Sequence, residues 1–161
     1  MSAFPSRAGM LPSLLLACSL SFPSAPGYAG GLCFKVDTGS REALSLPVAR
    51  GGELRLKFVN SVYDSAVEEI FRLTEEGLQS SRLLYAEPRL VEFYGHERAS
   101  YENGFWVVTP ISRRFKSLHL RVSGDSAIEI SVDGRAIPLR EAGQTGARVR
   151  LSVASCEANH A

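Results

Sequence analysis

The chain reads as an all-β protein, an antiparallel sandwich or partly open barrel of short strands and hairpins. Three observations predict it. From Leu32 to Val153 apolar and polar residues alternate in short runs, Gly, Asp and Asn punctuate those runs, and no stretch sustains a helical period for the length of an ordinary helix.

Leu32–Val36 and Ala43–Val48 flank Asp37-Thr38-Gly39-Ser40, a hairpin-like connection. In Glu53–Val59, Leu54, Leu56 and Phe58 alternate with Glu53, Arg55 and Lys57, a strand with one wet face. Val67–Leu73 puts Val67, Glu69, Phe71 and Leu73 on one side and Glu68, Ile70 and Arg72 on the other. Val67, Ile70, Phe71 and Thr74 also fit a helical period, but the closely following Gly77 favours a hairpin into Leu78–Tyr85. Leu90–Tyr94, Gly104–Thr109, Ser117–Val122, Ala127–Val132, Arg135–Leu139 and Arg148–Val153 complete the strands. Asp133-Gly134 supplies the positive φ angles of a two-residue hairpin turn, and the polar segment Gly95–Asn103 is expected to be a mobile loop.

Residues 1–29 read as an export signal. Arg7 is their only charged side chain and precedes the apolar run from Leu11 to Phe22, while Gly27 and Ala29 present small residues to a signal peptidase. Cleavage after Ala29 leaves residues 30–161 as a single all-β domain, periplasmic or secreted. In a second reading, Leu15-Leu16-Ala17-Cys18 resembles a bacterial lipobox, and Cys18 would carry the lipid that anchors the protein in the envelope. A buried core helix is disfavoured by the prolines and serines between residues 11 and 24.

The whole chain of 161 residues has 18 Lys+Arg against 17 Asp+Glu. Removing residues 1–29 leaves 17 of each, so the sum gives no argument for recruitment to nucleic acid or anionic lipid. No run reaches the ~18 apolar residues of a spanning helix, so the mature protein is not expected to be integral to a membrane. With Cys18 discarded or lipidated, Cys33 and Cys156 remain as a candidate disulfide in an oxidising compartment. The alternative is a buried Cys33 and an unpaired Cys156.

The segment from Leu54 through Asn60, Ser61, Glu68 and Glu69 to Arg72 resembles the hallmark segment of the bacterial domain-of-unknown-function family eighteen-fifty. The resemblance continues through Asn103-Gly104-Phe105-Trp106-Val107-Val108, Ile111-Ser112-Arg113-Arg114, Leu118–Val122 and Val132–Leu139, and covers about Leu32 to Val153. It implies a small exported protein associated with TRAP transporters of the TAXI type, an accessory in solute uptake whose biochemical activity is unassigned. Asn60-Ser61 stands where the family has His-Ser, and Ala66 where it has Pro. A role that needs an imidazole at position 60 is not carried over.

Glu69 is the first candidate for chemistry, because a carboxylate on an apolar face needs a partner. Arg113 and Arg114 are the nearest suppliers of a two-pronged guanidinium grip. With Asn60 and Ser61 they define a candidate polar pocket for a small polar or anionic solute. The bland alternative is a structural ion pair. A hydrolase or metal-dependent enzyme using Ser61, Glu69 and His96 is the competing class, but Ser61 lacks a nucleophile elbow and Glu92, His96 and Glu97 lack zinc-site spacing. His119 is expected to face solvent. The aromatic residues Phe93, Tyr94, Tyr101, Phe105 and Trp106 are expected to be core more than pocket. No catalytic residue, metal or cofactor is assigned. A purely structural envelope module is the third reading.

Overall fold

Alternation in the sequence becomes two antiparallel sheets in a computed structural model of the chain, which describes residues 31–39, 43–109, 113–122, 128–139, 146 and 148–156. Residues 1–29, read from the sequence as an export signal and including Cys18, lie outside the described residues. The strands are β1 (Leu32–Asp37), β2 (Leu44–Val48), β3 (Glu53–Asn60), β4 (Ser65–Thr74), β5 (Gly77–Tyr85), β6 (Ser100–Glu102) and β7 (Phe105–Val108). After them come β8 (Arg114–Phe115), β9 (Ser117–Arg121), β10 (Glu129–Val132), β11 (Arg135–Ile137) and β12 (Arg148–Ser155). A short helix, α1 (Pro88–Phe93), follows β5.

The smaller sheet runs β2-β1-β12-β9 and the larger β11-β10-β3-β4-β5-β7-β6, with β8 beside β5. Both keep free edges, so this is the sandwich and no barrel closes. The two sheets share one core. Phe34, Val36, Val149 and Leu151 of the smaller sheet meet Leu54, Phe71, Leu73, Leu78, Ile130 and Val132 of the larger. A second cluster of Val67, Tyr85, Leu90, Val91 and Val108 lies at the far end of the larger sheet, where α1 takes the place of a facing strand.

β4 is a strand, as its alternation predicts, paired with β3 from Ser65 to Arg72. Its pairing with β5 shifts between Ile70 and Phe71, leaving Ser81 as an extra residue whose hydroxyl donates to the Ile70 carbonyl at 3.2 Å. β8 covers the start of β5 and β7 its end. Between them, the Ser80 N–H donates to the Arg113 carbonyl at 2.8 Å.

Two expectations are corrected. Leu90–Tyr94 belongs mostly to α1 and is not a strand. Pro88 sits in the first turn, where its missing N–H costs nothing, and the adjacent Leu90 and Val91 both face the second cluster, which alternation in a strand would forbid. The expected mobile loop Gly95–Asn103 contains β6, which pairs with β7. Its turn is Asn103-Gly104, with φ of 49° and 87°, the same two-residue geometry that Asp133-Gly134 adopts at 48° and 78°.

Cys33 and Cys156 are joined, with Cα atoms 4.9 Å apart. The ladder brings them there: Cys33 lies opposite Ala154, and the Cys156 N–H donates to the Gly31 carbonyl at 2.9 Å.

Candidate functional site

The inward face of β4 carries Val67, Glu69, Phe71 and Leu73, and the seam between the two apolar clusters falls at Glu69. Phe71 and Leu73 belong to the inter-sheet core and Val67 to the second cluster. Glu69 lies opposite Leu56 on β3 and Leu83 on β5. Neighbouring Glu68 faces the other way and is only 8% exposed, but Arg55 Nη1 holds it at 2.8 Å and Lys57 Nζ stands 3.9 Å away. Glu69, half-buried, has no hydrogen bond or ion pair with any described residue. Burial alone pushes its carboxyl above the ordinary 4.5.

Neither arginine grips it. Arg114 binds Glu76 at 2.6 Å on the surface. The Arg113 charge is felt by Tyr85 and His96, whereas desolvation is the sole influence on Glu69. Asn60 is buried at the end of β3, and its Oδ1 accepts from the N–H groups of Val62 and Tyr63 at 3.0 and 3.1 Å. These bonds shape the β3–β4 turn, where Asp64 takes a φ of 48°. Ser61 is exposed in that turn. It has no hydrogen bond to Glu69 or His96 among the described residues.

The groups that do gather near Glu69 are aromatic. Tyr85 is 1% exposed, directly follows Leu83 on the inward face of β5, and lies opposite Val67. Its hydroxyl is 2.9 Å from His96 Nε2. Burial, then the charge of Glu69 and the Tyr94 phenol, hold the Tyr85 phenol well above its usual range. Burial and, second, the Arg113 charge push the His96 imidazole below 6.5. Both directions keep the pair neutral, so phenol and imidazole share one hydrogen bond whose donor is set by the imidazole tautomer. Tyr94 stacks on Tyr85 with centroids 5.3 Å apart and accepts from Asn60 Nδ2 at 3.1 Å. From Tyr94 the aromatic contact runs outward through Phe93 to Tyr63, over which the Arg89 guanidinium lies at 4.9 Å.

The site thus combines Glu69, Tyr85, Tyr94, His96 and Asn60, with Arg113 as its nearest positive influence. Asn60 and Glu69 were readable as candidates, whereas Tyr85 and Tyr94 were missed as polar participants because each reads as an ordinary apolar position. The unpartnered Glu69 carboxyl offers a hydrogen bond to a small polar group, and the exposed faces of Phe93 and Tyr94 offer apolar contact. Among the described residues, no group of three or more His, Cys, Asp or Glu side chains converges to hold a metal. No described helix is long and apolar enough to cross a membrane. Neither the protein-family models nor the curated proteins nor the solved structures contain a match to this chain.

Proposed function

We propose that the chain is an exported binding module that takes a small polar solute carrying a hydrogen-bond donor at Glu69 and serves as an accessory to a TRAP transporter of the TAXI type. One observation carries the binding reading. Of two adjacent carboxylates, Glu68 has two cationic partners and Glu69 has none among the described residues, although it is desolvated beside Tyr85. A half-buried carboxyl without a partner is costly to keep, and a ligand that donates to it would recover that cost. The transport setting rests on the resemblance of the Leu54–Arg72 segment and on the export signal read in residues 1–29. The disulfide supports an oxidising, periplasmic or secreted location. With Cys18 lipidated, the same module would work from the envelope surface.

Two measurements test the proposal. Affinity isolation of the tagged protein from its own envelope and periplasm should recover a transport component, and recovery of none overturns the accessory role. A thermal-shift screen of small polar solutes should find one that stabilises the protein by ~2.7 kcal/mol at about 100 times its dissociation constant. Glu69→Gln should abolish that shift, and an undiminished shift in the variant removes Glu69 from the site.

A further inference from the structure

The balanced charge of the domain conceals a segregation that the strand register creates. Alternation in β1, β9 and β12 turns Phe34, Val36, Leu118, Leu120, Val149 and Leu151 inward, so Lys35, Asp37, His119, Arg121, Arg148 and Arg150 lie on the outer face of the smaller sheet. Arg148 stands directly opposite Arg121, and Arg150 stands between His119 and Asp37. Neighbouring strands are ~4.8 Å apart, so these groups form one contiguous patch. Asp37 is the single acid at the described positions of this face, and Arg150 already holds it at 2.9 Å. Arg121 and Arg148 have no acidic partner among the described residues, and like charges directly opposite on paired strands repel. The larger sheet contrasts with this. On its outer face Arg55, Lys57 and Arg82 are matched by Glu53, Glu68 and Glu102.

The patch lacks what other partners require. A protein interface has a desolvated apolar centre, yet the large exposed apolar side chains Val59, Val62, Phe93, Tyr94 and Tyr101 all belong to the larger sheet, α1 and the β3–β4 turn. Leu44 shares the inward side of β2 with Leu46 and Val48. Nucleic-acid readers use an element that enters a groove or aromatic rings that stack on bases, and the described positions of this face offer neither. A flat sheet whose cations project without apolar company matches a planar anionic surface. We infer that the outer face of the smaller sheet, through Arg121 and Arg148, docks the protein peripherally on anionic phospholipid headgroups. A chain lipidated at Cys18 would enter the fold through β1, in this same sheet. The surface is separate from the Glu69 site, so either can fail alone.

The test is co-sedimentation of the mature protein with vesicles of phosphatidylcholine, with and without phosphatidylglycerol. Binding should require phosphatidylglycerol and fall steeply between ~0.1 M and ~0.5 M salt. Arg121→Glu/Arg148→Glu should weaken it at least about tenfold. Arg72→Glu/Arg98→Glu, an equal charge change at exposed positions elsewhere, should leave most of it. Circular dichroism checks that each variant folds, and Arg121→Gln/Arg148→Gln replaces the first if it does not. Absence of binding, equal binding to both vesicle types, or equal loss in the two charge-reversed variants overturns the inference. Tighter binding to duplex DNA than to the vesicles overturns the assignment to lipid.

Discussion

Replacing Cys33 and Cys156 together by serine opens a covalent loop of 123 residues, nearly the whole described fold. In the chain-entropy account the bond restricts the unfolded chain by 2.1 + 1.5R ln n, which for this loop is about 5 kcal/mol at room temperature. A domain of this size is commonly stable by ~5–15 kcal/mol, so the loss would reach the scale of its whole stability. The serine pair adds a separate effect, because Cys33 is only 5% exposed and a hydroxyl there needs a partner. Reduced wild-type protein isolates the bond itself. Urea titrations of the oxidised and reduced forms should differ by about 3–5 kcal/mol, with a steeper slope for the reduced form because its unfolded chain exposes more surface. Coincident midpoints with equal slopes would refute the reasoning, since β1–β12 pairing would then hold the fold closed without the bond.

At Glu69, the folded carboxyl is raised above its unfolded value by burial. Stability is therefore greatest below about pH 4.5 as far as this group is concerned, and it declines as pH rises through the folded value, by ~1.4 kcal/mol for each unit of separation. Glu69→Gln should flatten that decline and raise stability at neutral pH, and a pH profile identical to wild type counts against the desolvated carboxyl. Tyr85→Phe keeps the stacked ring and removes the hydroxyl that His96 Nε2 bonds, so it should cost about 1 kcal/mol and shift the His96 ring-nitrogen resonances in an NMR spectrum. Unmoved resonances would deny the Tyr85–His96 bond. Gly77 has a φ of 120°, and an added Cβ would lie 2.3 Å from the Phe115 carbonyl oxygen. Gly77→Ala should cost about 2–3 kcal/mol in thermal or urea unfolding, and a neutral effect would mean that β8 is not pressed against β5.

What alternation alone encodes was legible: the strands from β1 to β5, the inward parity of Glu69, and the Asp133-Gly134 turn. α1 escaped because six residues with two adjacent apolar positions match either period, and Pro88 was the decisive local clue. The β6–β7 turn carried its signal in Asn103-Gly104, but the polar residues before it read as loop. The site and the cationic face depend on pairing between distant strands, which no local pattern specifies. Tyr85 and His96 meet only because α1 folds back over the larger sheet. Arg121 and Arg148 become neighbours through the β9–β12 register, and a formal charge summed along the chain averages them away.

The second apolar cluster has a thermodynamic consequence of its own. It draws on β3, β4, β5, β7 and α1 and on no residue of the smaller sheet, while the inter-sheet core is built by both sheets. The α1 and β6–β7 region can therefore detach as a cooperative unit at less free energy than global unfolding, because the disulfide and the inter-sheet core remain intact during the event. Glu69 stands at the boundary of that unit. An opening that exposed Glu69 would relieve the burial that penalises its ionised form, and a ligand occupying the carboxyl in the closed state would oppose that opening.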